Sequence, residues 1–231
     1  MCGRITLTRS DLDSIARDLG ASFDPDDAAR YKPRYNAAPS NLLWLLIAGD
    51  DGARRIVPAV WGLPSQRAKR PPINIQAETL RRGAFKHRRR SVVISDGFYE
   101  WTGDKEARRP LWFHRRSDEL MLFAAVDTPL DASTRAPLAC AVITVEPGAD
   151  VAAVHDRQPA LLEADQLGVW FGADDAARLA LLVSSPAGTF ETRAVSPRVN
   201  DVKNDDPDCL ATWAAPAAEG PRQLSLLDGK L

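Results

Sequence analysis

The second residue of the chain would carry two reactive groups once Met1 is removed. Cysteine is small enough for that removal to be expected, and it leaves an α-amine and a thiol on Cys2. At ordinary pKa values, about 7.7–8.0 for the amine and about 8.5 for the thiol, a usable fraction of each is deprotonated near neutral pH. The amine of such a 1,2-aminothiol condenses with an aldehyde, and the sulfur then closes a five-membered thiazolidine ring. Cys2 is therefore a candidate aldehyde trap.

Five further regions carry polar and aromatic side chains in patterns unusual for a purely structural scaffold. They comprise residues 34–39, residues 61–64 together with 73–79, residues 95–101, residues 154–159 and residues 197–205. With the opening Met1–Arg4, these segments resemble the SRAP family (SOS response-associated peptidases), whose members shield abasic sites in single-stranded DNA. Each motif is weak alone, but the match runs in order from Cys2 to about Cys209. The resemblance is therefore specific.

The resemblance implies that Cys2 crosslinks covalently, as a thiazolidine, to the ring-opened aldehyde of an abasic deoxyribose. It also implies lyase, crosslink-reversal and autopeptidase activities. Glu100 would move protons, His155 would assist sugar-ring opening or β-elimination, and Asn74 would hydrogen-bond the sugar. A pocket lined by aromatic side chains should raise the pKa of Glu100 by desolvation and so favour its role.

The same resemblance assigns DNA-binding residues. Arg4, Asn36 and Pro39 would line the path of the DNA backbone near Cys2. Arg157 would steady a phosphate.

Two departures from the family pattern should change the affinity for DNA. Gln76 stands where the family has an arginine expected to contact a phosphate, which should weaken affinity by about one contact. Residues 63–70 lack the family's tryptophans and carry charge instead. Arg67, Lys69 and Arg70 are predicted to compensate electrostatically for the lost stacking surface.

The carboxyl-terminal residues 214–231 are rich in Ala, Pro and Gly and are predicted to be a flexible tail. Within it, Gln223, Leu224, Leu226 and Leu227 look like the short peptide by which bacterial repair proteins dock onto the replication sliding clamp. A disordered tail that presents leucines to a groove is a plausible recognition mode. A chance match in a leucine-containing terminus is the alternative.

Other function classes stay open from the residues alone. The Met-Cys-Gly opening also occurs in N-terminal-nucleophile amidotransferases, in which the thiolate attacks glutamine and the α-amine acts as base. Residues 51–120 carry 16 Lys and Arg against 8 Asp and Glu, most densely over Arg81–Arg90. That stretch is either a solvated face or a surface that tracks phosphates in a non-covalent nucleic-acid-binding module. Covalent capture of abasic DNA is the favoured reading.

The bulk composition indicates a cytoplasmic protein, and the resemblance implies a bacterial one that is nucleoid-associated when engaged on DNA. No apolar segment suits a signal peptide or a membrane span, and the three cysteines form no disulfide framework. We expect no membrane partner, no metal and no cofactor, because the cysteines and histidines are scattered. The protein is expected to be a monomer with one domain over residues 1–213.

The elements that must position these groups are predicted to be mixed α and β. A helix is predicted from an N-cap at Ser10 to Gly20, with further helices near Ala164–Trp170 and Asp174–Val183. Residues 34–39 are predicted to be an extended loop. Strands are predicted at Leu42–Ala48, Arg54–Val60, Ser91–Ser95, Leu111–Arg115, Leu120–Val126 and Leu138–Val145. Because β-α alternation is absent, we predict an α+β fold with a curled, barrel-like, mostly antiparallel sheet flanked by helices.

Overall fold

The computed structural model describes residues 2–65, 68–85, 87–104, 108–117, 119–131, 134 and 136–213. Arg67 and the tail residues Gln223, Leu224, Leu226 and Leu227 therefore lie outside the described residues. The strands are β1 Ile5–Leu7, β2 Ser22–Phe23, β3 Arg34–Ala37, β4 Leu42–Ala48, β5 Arg54–Trp61, β6 Asn74–Gln76, β7 Arg89–Ser95, β8 Gly97–Thr102, β9 Arg109–His114, β10 Met121–Pro129, β11 Leu138–Val145, β12 Gln158–Pro159, β13 Leu161–Leu162 and β14 Glu191–Ala194. The α-helices are α1 Leu12–Leu19, α2 Pro25–Arg30, α3 Ala77–Arg81, α4 Ala149–Ala152, α5 Leu167–Phe171 and α6 Asp175–Ala180, with 3₁₀ turns at Ala164–Gln166, Pro197–Asn200 and Pro207–Leu210.

Five long strands pair into a ring. β11, β10, β7, β4 and β5 follow one another in the larger sheet, and β5 also pairs with β11 in parallel. The remaining pairs within the ring are antiparallel. The predicted α+β class and the curled, mostly antiparallel sheet are confirmed.

Strict alternation along the ring strands separates two apolar cores. Leu45 and Val93 point into the ring, where they share one core with Cys2. Leu46 and Val92 point outward into a second core, which also holds Ile15 of α1. Because successive side chains of a strand face opposite sides, these continuous apolar runs cover both faces of the sheet.

The first helix begins one residue later than the sequence predicts. Asp11, not Ser10, is the N-cap, since its carboxylate accepts a hydrogen bond from the Ser14 backbone N–H at 2.7 Å. Gly20 ends the helix as predicted, with the positive φ of 57° that glycine adopts readily. In the described part of the chain, no helix is long and apolar enough to cross a membrane.

A second sheet carries the amino terminus. Its strand order is β14, β9, β8, β1 and β3. Ile5 of β1 pairs with Ala37 of β3 on one side and with Phe98 of β8 on the other. The prediction of a loop over residues 34–39 is thus wrong for Arg34–Ala37, which form β3 because β1 supplies the pairing partner.

Candidate functional site

Cys2 lies just before β1 and is fully buried in the core inside the ring. Its thiol Sγ is 3.7 Å from the carbonyl oxygen of Arg4. Burial raises the pKa of the Cys2 thiol well above its ordinary value, and the negative charge of Glu100 raises it further. The thiol is therefore protonated at neutral pH, in contrast to the usable thiolate fraction that an ordinary pKa predicts.

Asn74 is in direct contact with Cys2. The strand β6 lies beside β11, with Asn74 opposite Val142. From there the Asn74 side-chain Nδ2 donates a hydrogen bond to the Cys2 carbonyl oxygen at 2.7 Å. The Asn74 Oδ1 atom is buried and has no hydrogen-bond partner among the described residues. Asn74 thus fixes the amino-terminal backbone and keeps one buried acceptor available for a ligand hydroxyl.

Glu100 occupies the inner face of β8. Strand alternation puts it on the same side as Phe98, whose ring stacks on Phe113 with centroids 5.0 Å apart. Tyr99 and Trp101 point to the opposite face and pack in a separate cluster. Only 4% of Glu100 is exposed, and burial raises its pKa to about 7. The predicted rise in pKa is confirmed, and Glu100 can both accept and donate a proton near neutral pH.

His155 follows α4 and is partly buried. Its Nδ1 accepts a hydrogen bond from the Arg157 backbone N–H at 3.0 Å and lies 2.9 Å from the Asp156 carboxylate. Burial lowers the pKa of His155, so its imidazole is neutral at neutral pH. The charge of Asp156, the next residue, also raises the pKa of Glu100. Neutral His155 can therefore accept a proton, as ionised Glu100 can.

Arg4 is held over the outer face of the second sheet. Its guanidinium donates to the Asn36 Oδ1 at 2.8 Å and to the Val199 carbonyl at 2.7 Å. It also lies 5.6 Å from the centroid of the Trp101 ring, within cation–π range.

Asn36 is fully buried, and its amide is committed to the protein interior. The Nδ2 atom contacts three backbone carbonyl oxygens, those of Val199, Asp201 and Asn204. The structure therefore places Asn36 beneath Arg4, as its support, rather than at the surface where DNA would run.

The family model described as SOS response associated peptidase (SRAP) matches residues 1–202. The chain belongs to the SRAP family.

This SRAP chain is similar to several proteins that are named abasic site processing proteins. It is 31% identical to the abasic site processing protein YoaM of Bacillus subtilis, over 91% of this chain and 97% of that protein. It is 27% identical to the abasic site processing protein YedK of Escherichia coli, over 91% and 99% of the two chains. The chicken (Gallus gallus) abasic site processing protein HMCES is 29% identical over 78% of this chain and 66% of its own length.

Solved structures share the SRAP chain's fold. A protein from Bacteroides thetaiotaomicron superposes with a TM-score of 0.74 at 14% identity, covering 92% of this chain and all of that one. A phage-related protein from Bordetella bronchiseptica gives a TM-score of 0.65 at 24% identity, covering 84% of this chain and 94% of that one. At these identities the likeness concerns the fold alone.

Of the remaining residues expected to bind DNA, some are exposed to solvent and one is paired inside the protein. Pro39, Lys69 and Arg70 are exposed, and so is Gln76 at the end of β6. Arg157 is engaged inside the protein, since its guanidinium donates to both carboxylate oxygens of Glu78 at 3.2 and 2.9 Å. Arg157 would have to leave this pair to bind a phosphate.

Sequence reasoning missed three residues of this SRAP site, although each lies inside a segment that it singled out. Glu78 pairs with Arg157, and Trp101 covers Arg4. Asp205 accepts hydrogen bonds from the backbone N–H groups of Tyr35 and Asn36 at 2.7 and 2.8 Å. Within the described ranges, no group of three His, Cys, Asp or Glu side chains is arranged to hold a metal ion.

Proposed function

We propose that this protein captures abasic sites in single-stranded DNA by a covalent bond to Cys2 after Met1 has been removed. The relatives named as abasic site processing proteins support this target. The observation that carries the proposal is the meeting of Cys2, Asn74 and Glu100 at one buried point. Asn74 bonds the Cys2 carbonyl, and the Glu100 charge acts on the Cys2 thiol.

Capture begins at the amine. The Cys2 α-amine attacks the aldehyde carbon of the ring-opened deoxyribose, and an imine forms with loss of water. Glu100 has a pKa of about 7, so its protonated and ionised forms are both present at neutral pH. The protonated form can donate a proton to the departing hydroxyl. The Asn74 Oδ1, a buried acceptor without a partner in the described part of the chain, receives a hydrogen bond from a sugar hydroxyl.

Ring closure follows at the sulfur. The Cys2 sulfur forms a C–S bond to the imine carbon, the imine nitrogen takes up a proton, and the thiol loses its own. Because burial keeps the thiol protonated, closure requires a nearby base. The ionised form of Glu100 is that base, and the same carboxyl group returns the proton to sulfur when the ring reopens.

The lyase reaction competes with ring closure. An imine acidifies the adjacent C2′ carbon of the sugar, and neutral His155 can accept the C2′ proton. The C3′–O bond then breaks and the 3′ phosphate departs. A thiazolidine has no C=N bond to acidify C2′, so closure through sulfur protects the strand. The balance between Glu100 and His155 thus sets the ratio of protection to incision.

Removal of Met1 is a hydrolysis of the Met1–Cys2 peptide bond, and we assign it to the same site as an autopeptidase reaction. Without it, the Cys2 nitrogen is an amide and cannot form an imine. The family's description as a peptidase is consistent with this self-processing.

The DNA strand would reach the site over exposed residues, most of them basic. Pro39, Lys69 and Arg70 are exposed, Arg4 is fixed nearby by Asn36, and we assign Arg67 to the same path. Arg157 joins this path if a phosphate displaces Glu78 from its guanidinium.

One gel tests the proposal. The purified protein is incubated with single-stranded DNA that contains one abasic site and is then denatured. We expect a heat-stable shifted band that is lost in Cys2→Ala and in protein that retains Met1, while the matched control Cys140→Ala, another buried cysteine of the same core, keeps it. A shift under native conditions alone would support a non-covalent binding module instead. Hydrolysis of glutamine without a band would support an amidotransferase.

We also propose that residues 1–213 act as one monomeric domain in the bacterial cytoplasm, and that the tail tethers it to the replication sliding clamp. A labelled 214–231 peptide should bind the clamp saturably. Binding that is indifferent to Gln223→Ala combined with Leu226→Ala would refute the tether.

A further inference from the structure

A cleft of about 640 Å³ lies between the β4–β5 turn, the start of β7 and the helices α5 and α6. It shares no lining residue with the Cys2 site. Five arginines line it, and we call it the arginine cleft: Arg54, Arg88, Arg89, Arg90 and Arg178. From the sequence alone, the basic stretch Arg81–Arg90 could be either a solvated face or a phosphate-binding surface. In the structure, three of its arginines line this concave site.

The positive charge of the arginine cleft is only partly neutralised. Arg89 donates from Nε and Nη2 to the buried carboxylate of Asp127 at 2.9 and 2.6 Å, and about half of the Arg89 side chain stays exposed. Arg178 contacts Asp175 at 3.3 Å. Asp50 is the acidic residue among the described lining residues. Three carboxylates thus face five guanidinium groups, and a positive surplus remains.

Two further details favour the binding of an anion in the arginine cleft. The Nε atom of Arg178 is buried without a hydrogen-bond partner in the described part of the chain. Burial lowers the pKa of Arg90, and the like charge of Arg178 lowers it further. Like charges held together in a partly buried cleft repel one another, and a bound anion would relieve that repulsion.

We propose that the arginine cleft binds a phosphate-bearing ligand. Guanidinium groups match phosphate oxygens in a planar, two-pronged geometry, and several of them can share one polyphosphate. The cleft volume is typical of sites for ligands of nucleotide size. Leu167 and Phe171 supply an apolar wall for the rest of such a ligand. The phosphate can belong to a free polyphosphate or nucleotide, or to a DNA strand that passes outside the Cys2 site.

Isothermal titration of the full-length protein with inorganic tripolyphosphate tests the site. We expect saturable binding that weakens as salt rises and becomes about tenfold weaker in Arg178→Gln, since a charge-assisted hydrogen bond is lost. Arg54→Gln is a second variant that removes a cleft charge. Arg116→Gln is the matched control, because Arg116 is 84% exposed and does not line the cleft.

A competition arm separates the two sources of phosphate. If an oligonucleotide without an abasic site displaces tripolyphosphate, the cleft accepts a DNA backbone; if it does not, the cleft is specific for free phosphates. Either result supports the site. The proposal is overturned if tripolyphosphate does not bind saturably, or if Arg116→Gln weakens binding as much as two folded cleft variants do. Crosslinking is measured in parallel at saturating abasic DNA and should be unchanged in all three variants, so that failure of the cleft proposal is distinguished from failure of the Cys2 site.

Discussion

Replacing Glu100 with glutamine removes a buried charge while it keeps the shape of the side chain. The pKa of Glu100 is raised from 4.5 to about 7, chiefly by burial. One pKa unit corresponds to about 1.4 kcal/mol, so ionisation of Glu100 costs the folded state about 3 kcal/mol more than the unfolded chain. This cost is absent below pH 4.5 and grows as the pH rises towards 7. We therefore expect Glu100→Gln to be more stable than the wild type by up to about 3 kcal/mol at pH 8, with little difference at pH 4.

Urea unfolding at pH 4, 6 and 8 measures this difference. Whereas the stability of Glu100→Gln should rise, its crosslinking rate should fall by about a hundredfold or more, because glutamine cannot exchange protons. Glu119→Gln is the control, since the Glu119 side chain is 63% exposed and its replacement should change neither quantity much. A stability difference that does not vary with pH would refute the reasoning that burial penalises the Glu100 charge. A wild-type crosslinking rate in Glu100→Gln would refute its role in proton transfer.

Three further predictions concern the surroundings of the site. Asn36→Ala removes three hydrogen bonds to backbone carbonyl oxygens and the one that Asn36 accepts from Arg4, and should lower the free energy of unfolding by about 3 kcal/mol in urea titrations; a loss below about 1 kcal/mol would contradict the network. Iodoacetamide at pH 8 should alkylate Cys2 and Cys140 about a hundredfold more slowly in the native than in the unfolded protein, as followed by mass spectrometry, because both thiols are buried and their pKa values are raised. Comparable rates would mean that the thiols are accessible. Gln76→Arg should tighten single-stranded DNA binding and steepen the slope of log K against log salt by about 0.7 in fluorescence anisotropy, whereas an unchanged slope would place the exposed Gln76 off the DNA path.

The long strands could be predicted from the sequence because each is an apolar run between turn residues. β4 and β11 have the predicted ends at Leu42–Ala48 and Leu138–Val145. The short strands could not be predicted, since β1 has three residues and β3 has four, and both exist because they pair with each other. The prediction that Ser10 is the N-cap was wrong. Asp11, the next residue, is equally suited to capping and has the extended backbone that the N-cap position requires.

A property of a candidate residue was predictable where it depends on that residue's own motif, as for the raised pKa of Glu100, whereas the roles of Cys2 and Glu100 stay predictions. Such a property was not predictable where it depends on a distant partner. Asn36 bonds to Val199, 163 positions away, and Arg157 bonds to Glu78, 79 positions away. A pattern of residue types shows that such side chains are polar, but only the fold shows that their hydrogen bonds are already used.

The link between Arg4 and Val199 has a consequence for biosynthesis. These residues are 195 positions apart, and a ribosome adds about 5–20 residues per second. The amino-terminal segment therefore waits about 10–40 s for the last part of its support to be made. Until the ring is complete, the burial that raises the pKa of the Cys2 thiol is not in place, and we expect the thiol to react with aldehydes and oxidants as an ordinary cysteine does. We therefore expect slower translation of the carboxyl-terminal third of the chain to lower the fraction of protein with an unmodified Cys2.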